Sequence, residues 1–432
     1  MTKEHTSQPQ QSAPGVGGVS TPSPPLPDLN SGKYPFELVQ QLVDQAAWIN
    51  MFAMPDALHS PVAMYAPGNT NGVIGMRGSE VLPRFDIDMQ LPSLEAGVRA
   101  ANVVGQPAGS LELRWMIIPY DFQARPDREP PATLLDWSHT QRFAIQEGTF
   151  TFGDGQDGFC SFGTGRTFPE MVGGQPQLVV AAIGNITEGF GKFTGHEGTY
   201  ILSGHITPTY GFLGDIMVRV YDPDGSLRTE TALPPLAPEP NPDAGTTYLM
   251  IRSQKSGPSQ HSTFNLAPNG QVRGVNVPQE LRHVRVGFTS QGSAGWQSEI
   301  KIGPVIGEEI GFVATNPRAP DRRTGDNPSR FQGVGDYTLF DSERRPVAGF
   351  TAQFLEGRTF DMRLVSAPDQ PALRFGFFGP LLSGSGYFDG VTGLLLGSTG
   401  VGISPHVFSN LYILRLNDPE GKFRAAVNGA RS

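Results

Sequence analysis

The chain has 432 residues, of which 54 are Gly and 39 are Pro; that density of breakers excludes long helical bundles and coiled coils, since each costs about 1 to 3 kcal/mol in a helix interior. Hydrophobic residues make up 38% and the net charge is −9, which supplies a core but no clustered basic surface for nucleic acid, the densest basic stretch being Arg318 to Arg323. Cys160 is the only cysteine, which excludes an internal disulfide and a thiolate zinc site. No apolar run approaches the ~18 residues of a membrane span and no apolar leader follows the N-terminus, so a cytoplasmic protein of two or three domains is expected.

Residues 1–33 are rich in Gln, Ser, Pro and Gly and read as a disordered tail. A helical N-terminal segment is expected over 34–84. There Leu38, Val39, Leu42, Val43, Ala46 and Ile49 follow helical spacing, Gln40, Gln41, Asp44 and Gln45 lie opposite, and Pro55 supplies a stop. From 85 to 231, short runs such as LELRWMII, GTFTFGDG, QLVVAAIGNI and GTYILSGHI alternate with turn residues, the pattern of a barrel or sandwich. Prolines 234, 235, 238, 240 and 242 make 232–246 a semi-rigid linker, and a second β-domain follows over 247–432.

The two β-domains repeat one another. Gly189-Phe-Gly191-Lys-Phe193-Thr-Gly195-His-Glu-Gly198 matches Gly384-Ser-Gly386-Tyr-Phe388-Asp-Gly390-Val-Thr-Gly393. Arg219-Val-Tyr-Asp222-Pro223-Asp-Gly225 matches Arg415-Leu-Asn-Asp418-Pro419-Glu-Gly421, and Gly165-Arg166-Thr167-Phe168 recurs unchanged as Gly357-Arg358-Thr359-Phe360. Three ordered blocks at nearly constant offset predict a duplicated domain. The D-P-x-G segments read as β-turns with Pro second.

The G-x-G-x-F-x-G-x-x-G segment, with Gly198-Thr199-Tyr200 to Gly204 after it and a later strand ending in D-P-x-G, resembles the allene oxide cyclase and dirigent family of small antiparallel β-barrels. The likeness covers the glycine framework of each copy. It implies an all-β fold of two tandem antiparallel barrels, an apolar small molecule in a lumen, and cyclisation, isomerisation or radical coupling with neither metal nor organic cofactor. Two-domain calycin-like cyclases are a neighbouring alternative. A closed eight-stranded barrel has no free edge and encloses a lumen that side chains or one small ligand can fill.

No G-x-S-x-G, H-E-x-x-H or P-loop pattern occurs. Where the first copy has His196, Glu197, Tyr200 and His205, the second has Val391, Thr392, Leu395 and Val401, so the first lumen is the expected reaction chamber; the alternative is that these groups face solvent. Strand alternation puts Tyr200 on the more apolar face and His205 on the other. Tyr200 suits hydrogen bonding to a ligand oxygen and His205 proton transfer. Tyr200, His205 and Arg166 are the catalytic candidates; Glu197, Trp115 and Phe193 are the substrate contacts. Because both copies keep the GRTF arginine, pairing with a carboxylate is the alternative role of Arg166 and Arg358. Arg219 and Arg415 are expected to point outward.

The expected function is that of a cofactor-independent cyclase or isomerase of an apolar small molecule, in secondary metabolism, working largely by holding a flexible chain in a reactive conformation. The alternative is a non-enzymatic lipid or small-ligand binding protein. The two separate on whether the first barrel holds a cavity of several hundred cubic ångströms with an ionisable group inside. Association of copies through the outer barrel faces stays open.

Overall fold

The computed structural model describes residues 41–426 except 60, 66–72, 118–141, 173–174, 208–210, 230–241, 244, 256–262, 267–271, 290–295, 317–328, 366–371 and 404–406. The expected tail and most of the Pro-rich linker therefore lie outside the described residues. The first half forms β1 (Ala46–Pro55), β2 (Val62–Tyr65), β3 (Val73–Met89), β4 (Ala100–Ile117), β5 (Arg142–Phe152), β6 (Asp157–Val172), β7 (Gln175–Phe190), β8 (Gly198–Ile206) and β9 (Phe212–Tyr221). The second half forms β10 (Thr246–Gln254), β11 (Thr263–Leu266), β12 (Val272–Thr289), β13 (Gln297–Asn316), β14 (Ser329–Phe340), β15 (Pro346–Met362), β16 (Ala372–Gly386), β17 (Gly393–Ile403) and β18 (Val407–Asn417).

Each half is one antiparallel sheet that closes on itself. The order β1-β9-β8-β7-β6-β5-β4-β3-β2 is completed by β1–β3 pairing, and β10-β18-β17-β16-β15-β14-β13-β12-β11 by β10–β12 pairing. Eight strands form each barrel, and β2 or β11 extends one edge beyond the closure. No helix among the described residues is long and apolar enough to cross a membrane.

The helical expectation over 34–84 is corrected here. Residues 41–43 are helical and 34–40 lie outside the described residues, but Ala46–Pro55 is strand, and β3 lies in the same interval. The first barrel thus begins near residue 46 rather than 85. Of the apolar residues read as a helical stripe, Leu42 and Val43 are helical, Ala46 and Ile49 belong to a strand buried on both faces, and Leu38 and Val39 lie outside the described residues. Ala47, Ile49, Met51 and Ala53 fill the first lumen, while Ala46, Trp48 and Phe52 pack against the second barrel. A strand covered on both sides reads as a continuous apolar run, so alternation gives no warning.

The barrels exchange hairpins. The tip of the β12–β13 hairpin runs to the first barrel, where Ser298 and Leu227 share a backbone hydrogen bond of 2.8 Å and Thr229 N–H donates to Ser298 O at 2.8 Å. Its Phe288 and Trp296 close the first lumen against Phe152 and Phe193, with Phe193 to Trp296 ring centroids 5.0 Å apart. Reciprocally, the tip of the β3–β4 hairpin reaches the second barrel. Ala100 N–H donates to Phe423 O at 2.9 Å, and Ala425 N–H to Ala100 O at 2.9 Å. Gly97 has φ +71°, and a Cβ there would collide with the Tyr387 ring.

Candidate functional site

The first lumen is largely filled with side chains. Near one end a cavity of about 30 Å³ is lined by Leu113, Trp115, Phe143, Ile145, Val180, Leu202, Ile206 and Phe212. That is room for about one water, and no lining side chain is ionisable. This cavity is far smaller than the several hundred cubic ångströms expected of a catalytic first barrel, and its lining is apolar.

The six sequence-selected residues do not converge. Tyr200 does face the first lumen, packed 5.5 Å from the Phe150 ring centroid and fully buried, which pushes its phenol well above the usual value. Trp115 lines the small cavity, and Phe193 sits in the aromatic plug at the hairpin exchange. The other three lie outside the lumen. His205 is on the outer barrel face, 3.8 Å from Asp243, with burial holding its pKa below the usual value against the pull of that carboxylate. Glu197 pairs with Arg374 of the second barrel, and Arg166 Nε lies 3.2 Å from Glu356 Oε2 across the seam. The opposite orientations expected for Tyr200 and His205 are those seen.

Arg219 and Arg415 leave their barrels outward, yet both are fully buried because outward here means toward the other barrel. The Arg219 guanidinium lies 3.2 Å from the Trp48 ring centroid and donates to Ser409 O at 2.7 Å; Arg415 donates to Glu170 at 2.7 Å.

The concentration of buried chemistry is in the second lumen. Along β13, Gly307, Glu309 and Gly311 point inward while Glu308 and Ile310 face out, so a carboxylate is buried at 3% exposure beside an isoleucine left 57% exposed. Glu309 is met by groups from neighbouring strands. Tyr412 of β18 donates to Oε1 at 2.8 Å, and Ser253 of β10 lies 2.5 Å from Oε2. Beyond them, Asn410 Nδ2 donates to the Tyr412 hydroxyl at 3.1 Å, and Ser253 Oγ reaches Gln279 Oε1 at 2.7 Å. The Tyr337 ring stands 5.6 Å from that of Tyr412, and Phe350 stacks on it at 4.5 Å.

The hydroxyl of Ser253 has one hydrogen for two acceptors. With Glu309 protonated the inventory closes. Its carboxyl O–H donates to Ser253, Ser253 donates to Gln279, and the other carboxyl oxygen accepts from Tyr412, itself held by Asn410. Burial favours that neutral form and lifts the Glu309 carboxyl to about 7, against the pull of its hydrogen bonds. A carboxylic acid in this range can both give and take a proton at neutral pH. A Cβ at Gly311 would stand 3.3 Å from Glu309 Oε1, so glycine there leaves the acid uncrowded.

In register, Glu309 corresponds to Leu111, Tyr337 to Phe150, Tyr412 to Ile216 and Ser253 to Ala53 of the first barrel. The first lumen keeps one acid of its own. Glu80, in register with Gln279, accepts from Phe212 N–H at 2.9 Å and is raised by burial to about 8. Sequence comparison of β8 with β17 missed the second-lumen set. The available signal was the inverted pattern of β13, with Glu309 flanked on its own face by glycines.

For a cation, His196, Asp222 and Asp224 bring ligand atoms within 4.8 Å of one another. Asp222 is already engaged by Arg228 at 2.9 Å and by the Leu227 N–H, so the trio is explained as a turn. No protein-family model matches the chain, and no curated protein matches it.

Proposed function

We propose that the protein is a cofactor-independent isomerase or cyclase of an apolar small molecule, with Glu309 of the second barrel as its acid–base group. One observation carries the reading: a carboxyl poised at about 7 inside an apolar lumen, its two oxygens engaged by Tyr412 and Ser253. Such a group can protonate an alkene carbon or an epoxide or enol oxygen and remove a proton elsewhere on the same molecule, and a substrate reaching it would meet the aromatic rings of Phe350, Phe354 and Phe377. The Tyr412 hydroxyl stabilises the carboxylate between the two transfers. The glycine-framework likeness to allene oxide cyclases and dirigent proteins, together with the closed eight-stranded sheets, supports the same class.

The equal strand order and matching register of the halves further support descent from a duplicated barrel, with chemistry kept in one copy. Ligand binding without chemistry is the second reading, since the lining of the small first-lumen cavity is apolar and offers no acid or base. Incubating the pure protein in D₂O with a lipid extract and searching by mass spectrometry for isomers carrying one deuterium separates the two. The expected result is an isomeric product formed by the wild type and lost in Glu309→Gln. An extract component retained without conversion, or conversion that survives Glu309→Gln, overturns the assignment.

A further inference from the structure

Lys255 follows directly on the end of β10. Gln254 accepts from Arg252 Nε at 2.7 Å and donates to Glu280 at 3.2 Å on the outward face of the sheet, so alternation carries Lys255 to the lumen side with Ser253. The residue is 5% exposed. In register it takes the place of Pro55 in the first barrel, since Trp48 pairs with Arg219 as Tyr248 does with Arg415. The two copies therefore differ here as they do at Glu309.

The barrel wall is interrupted beside this lysine. β10 pairs with β12 as far as Gln254 with Glu280, and β11 resumes the pairing at Thr263 with Asn276. Among the described residues this leaves a gap between β10 and β11, with Lys255 at its edge. Lysine is rarely buried unless a carboxylate offsets the loss of water. Among the described residues none pairs with Lys255, and burial lowers its ammonium to about 8. On the order of a hundredfold more of the amine is then neutral at pH 7 than in an ordinary lysine. A neutral primary amine in such a setting attacks carbonyl carbon. Roughly 6.6 Å of strand separates it from Ser253, whose hydroxyl lies against Glu309.

We propose that Lys255 captures an apolar aldehyde or ketone as an imine, and that Glu309 then moves protons on the carbon beside it. The second step rests on the acid–base reading of Glu309; the capture does not. The amine lone pair adds to the carbonyl carbon, a proton passes from nitrogen to oxygen, and the oxygen departs as water with one further proton from solvent. An iminium ion remains. The Glu309 carboxylate takes a proton from the neighbouring carbon, the C–H electron pair becomes the C=C bond of an enamine, and the C=N π pair returns to nitrogen. The Glu309 carboxyl then gives a proton back to carbon, on the opposite face or at the far end of a conjugated chain. Hydrolysis frees the isomerised carbonyl compound, the amine and the borrowed proton, so no oxidant or reductant enters.

Decanal serves as the probe. The full chain is treated at pH 7 with decanal and sodium cyanoborohydride, which fixes an imine as a stable secondary amine, and peptide mass spectrometry locates the modified lysines. The exposed Lys192, Lys301 and Lys422 are internal standards. Lys255 is expected to be modified at least about tenfold faster than these, and Lys255→Arg removes that label. In D₂O without reductant, decanal should gain deuterium at the carbon beside its carbonyl. That exchange should be lost in Lys255→Arg and in Glu309→Gln, while Glu309→Gln keeps the label on Lys255. Labelling of Lys255 no faster than that of the exposed lysines overturns the capture, even where conversion still depends on Glu309. Intact labelling with exchange that survives Glu309→Gln overturns the role of Glu309 instead, so the two failures are told apart.

Discussion

Glu309 ties pH to stability through its proton. Its ordinary value is 4.5 and its folded value about 7, so the native state holds a proton that the unfolded chain has released between those limits. Stability is therefore highest below the unfolded value, falls as pH rises through the window, and levels off above it. The full swing is about 3 kcal/mol for one such group. Glu80, raised to about 8, adds a fall of the same sign extending higher. Urea unfolding at a series of pH values should show this decline in the wild type and a slope shallower by about 1 kcal/mol per pH unit in Glu309→Gln between about pH 5 and 7. Equal slopes would place the proton elsewhere. Removing the Tyr412 hydroxyl tests the same residue from its partner. Tyr412→Phe leaves Glu309 Oε1 without its donor, costs about 1 to 3 kcal/mol, and moves the Glu309 titration upward in carboxyl infrared difference spectra.

The exchanged hairpins are the elements that decide whether either lumen is closed. Trp296 lies on the second half of the chain but packs on Phe152 and Phe193 of the first. Trp296→Ala should therefore cost about 3 to 5 kcal/mol in denaturant unfolding and raise amide exchange in β5 and β7 of the other barrel. Protection lost only within β12 and β13 would contradict that. In the opposite direction, Gly97→Ala combines a positive φ with the collision against Tyr387 and should lower Tm by several degrees, with exchange rising around Phe423. Much of the element pattern was legible in advance. The GRTF blocks fall on β6 and β15, the G-x-G blocks at the β7–β8 and β16–β17 junctions, and the D-P-x-G blocks in the turns directly after β9 and β18. What the sequence hid was burial by the opposite barrel. That second covering made β1 apolar on both faces, so helical and strand periods could not be told apart, and it turned outward arginines into interior ones. Glu309 was hidden for a different reason: two adjacent glutamates on β13 are indistinguishable until the register assigns one to each face.

At the scale of the whole molecule the outer faces of the barrels are joined into one core. Trp48, Phe52, Phe85, Ile183, Ile201 and Met217 of the first half belong to the same apolar cluster as the second lumen. Arg219 and Arg415 cross the seam in opposite directions, each to partners on the other half. Unfolding should accordingly be a single cooperative transition by both calorimetry and tryptophan fluorescence, whereas two resolved transitions would show the halves to be independent. Residues 41–229 and 245–426 produced as separate chains should each aggregate alone, having lost the other's hairpin and covering face, and should recover a soluble complex when expressed together.

The reciprocal hairpins also set a rule for assembly. Each barrel accepts a tip from a neighbour, and nothing in those backbone bonds requires the neighbour to belong to the same polypeptide; the connecting segment alone makes the local tip the more concentrated one. Shortening that segment until it cannot span the pair would hand each tip to another molecule and convert the intramolecular pairing of barrels into a closed swapped dimer with the same contacts.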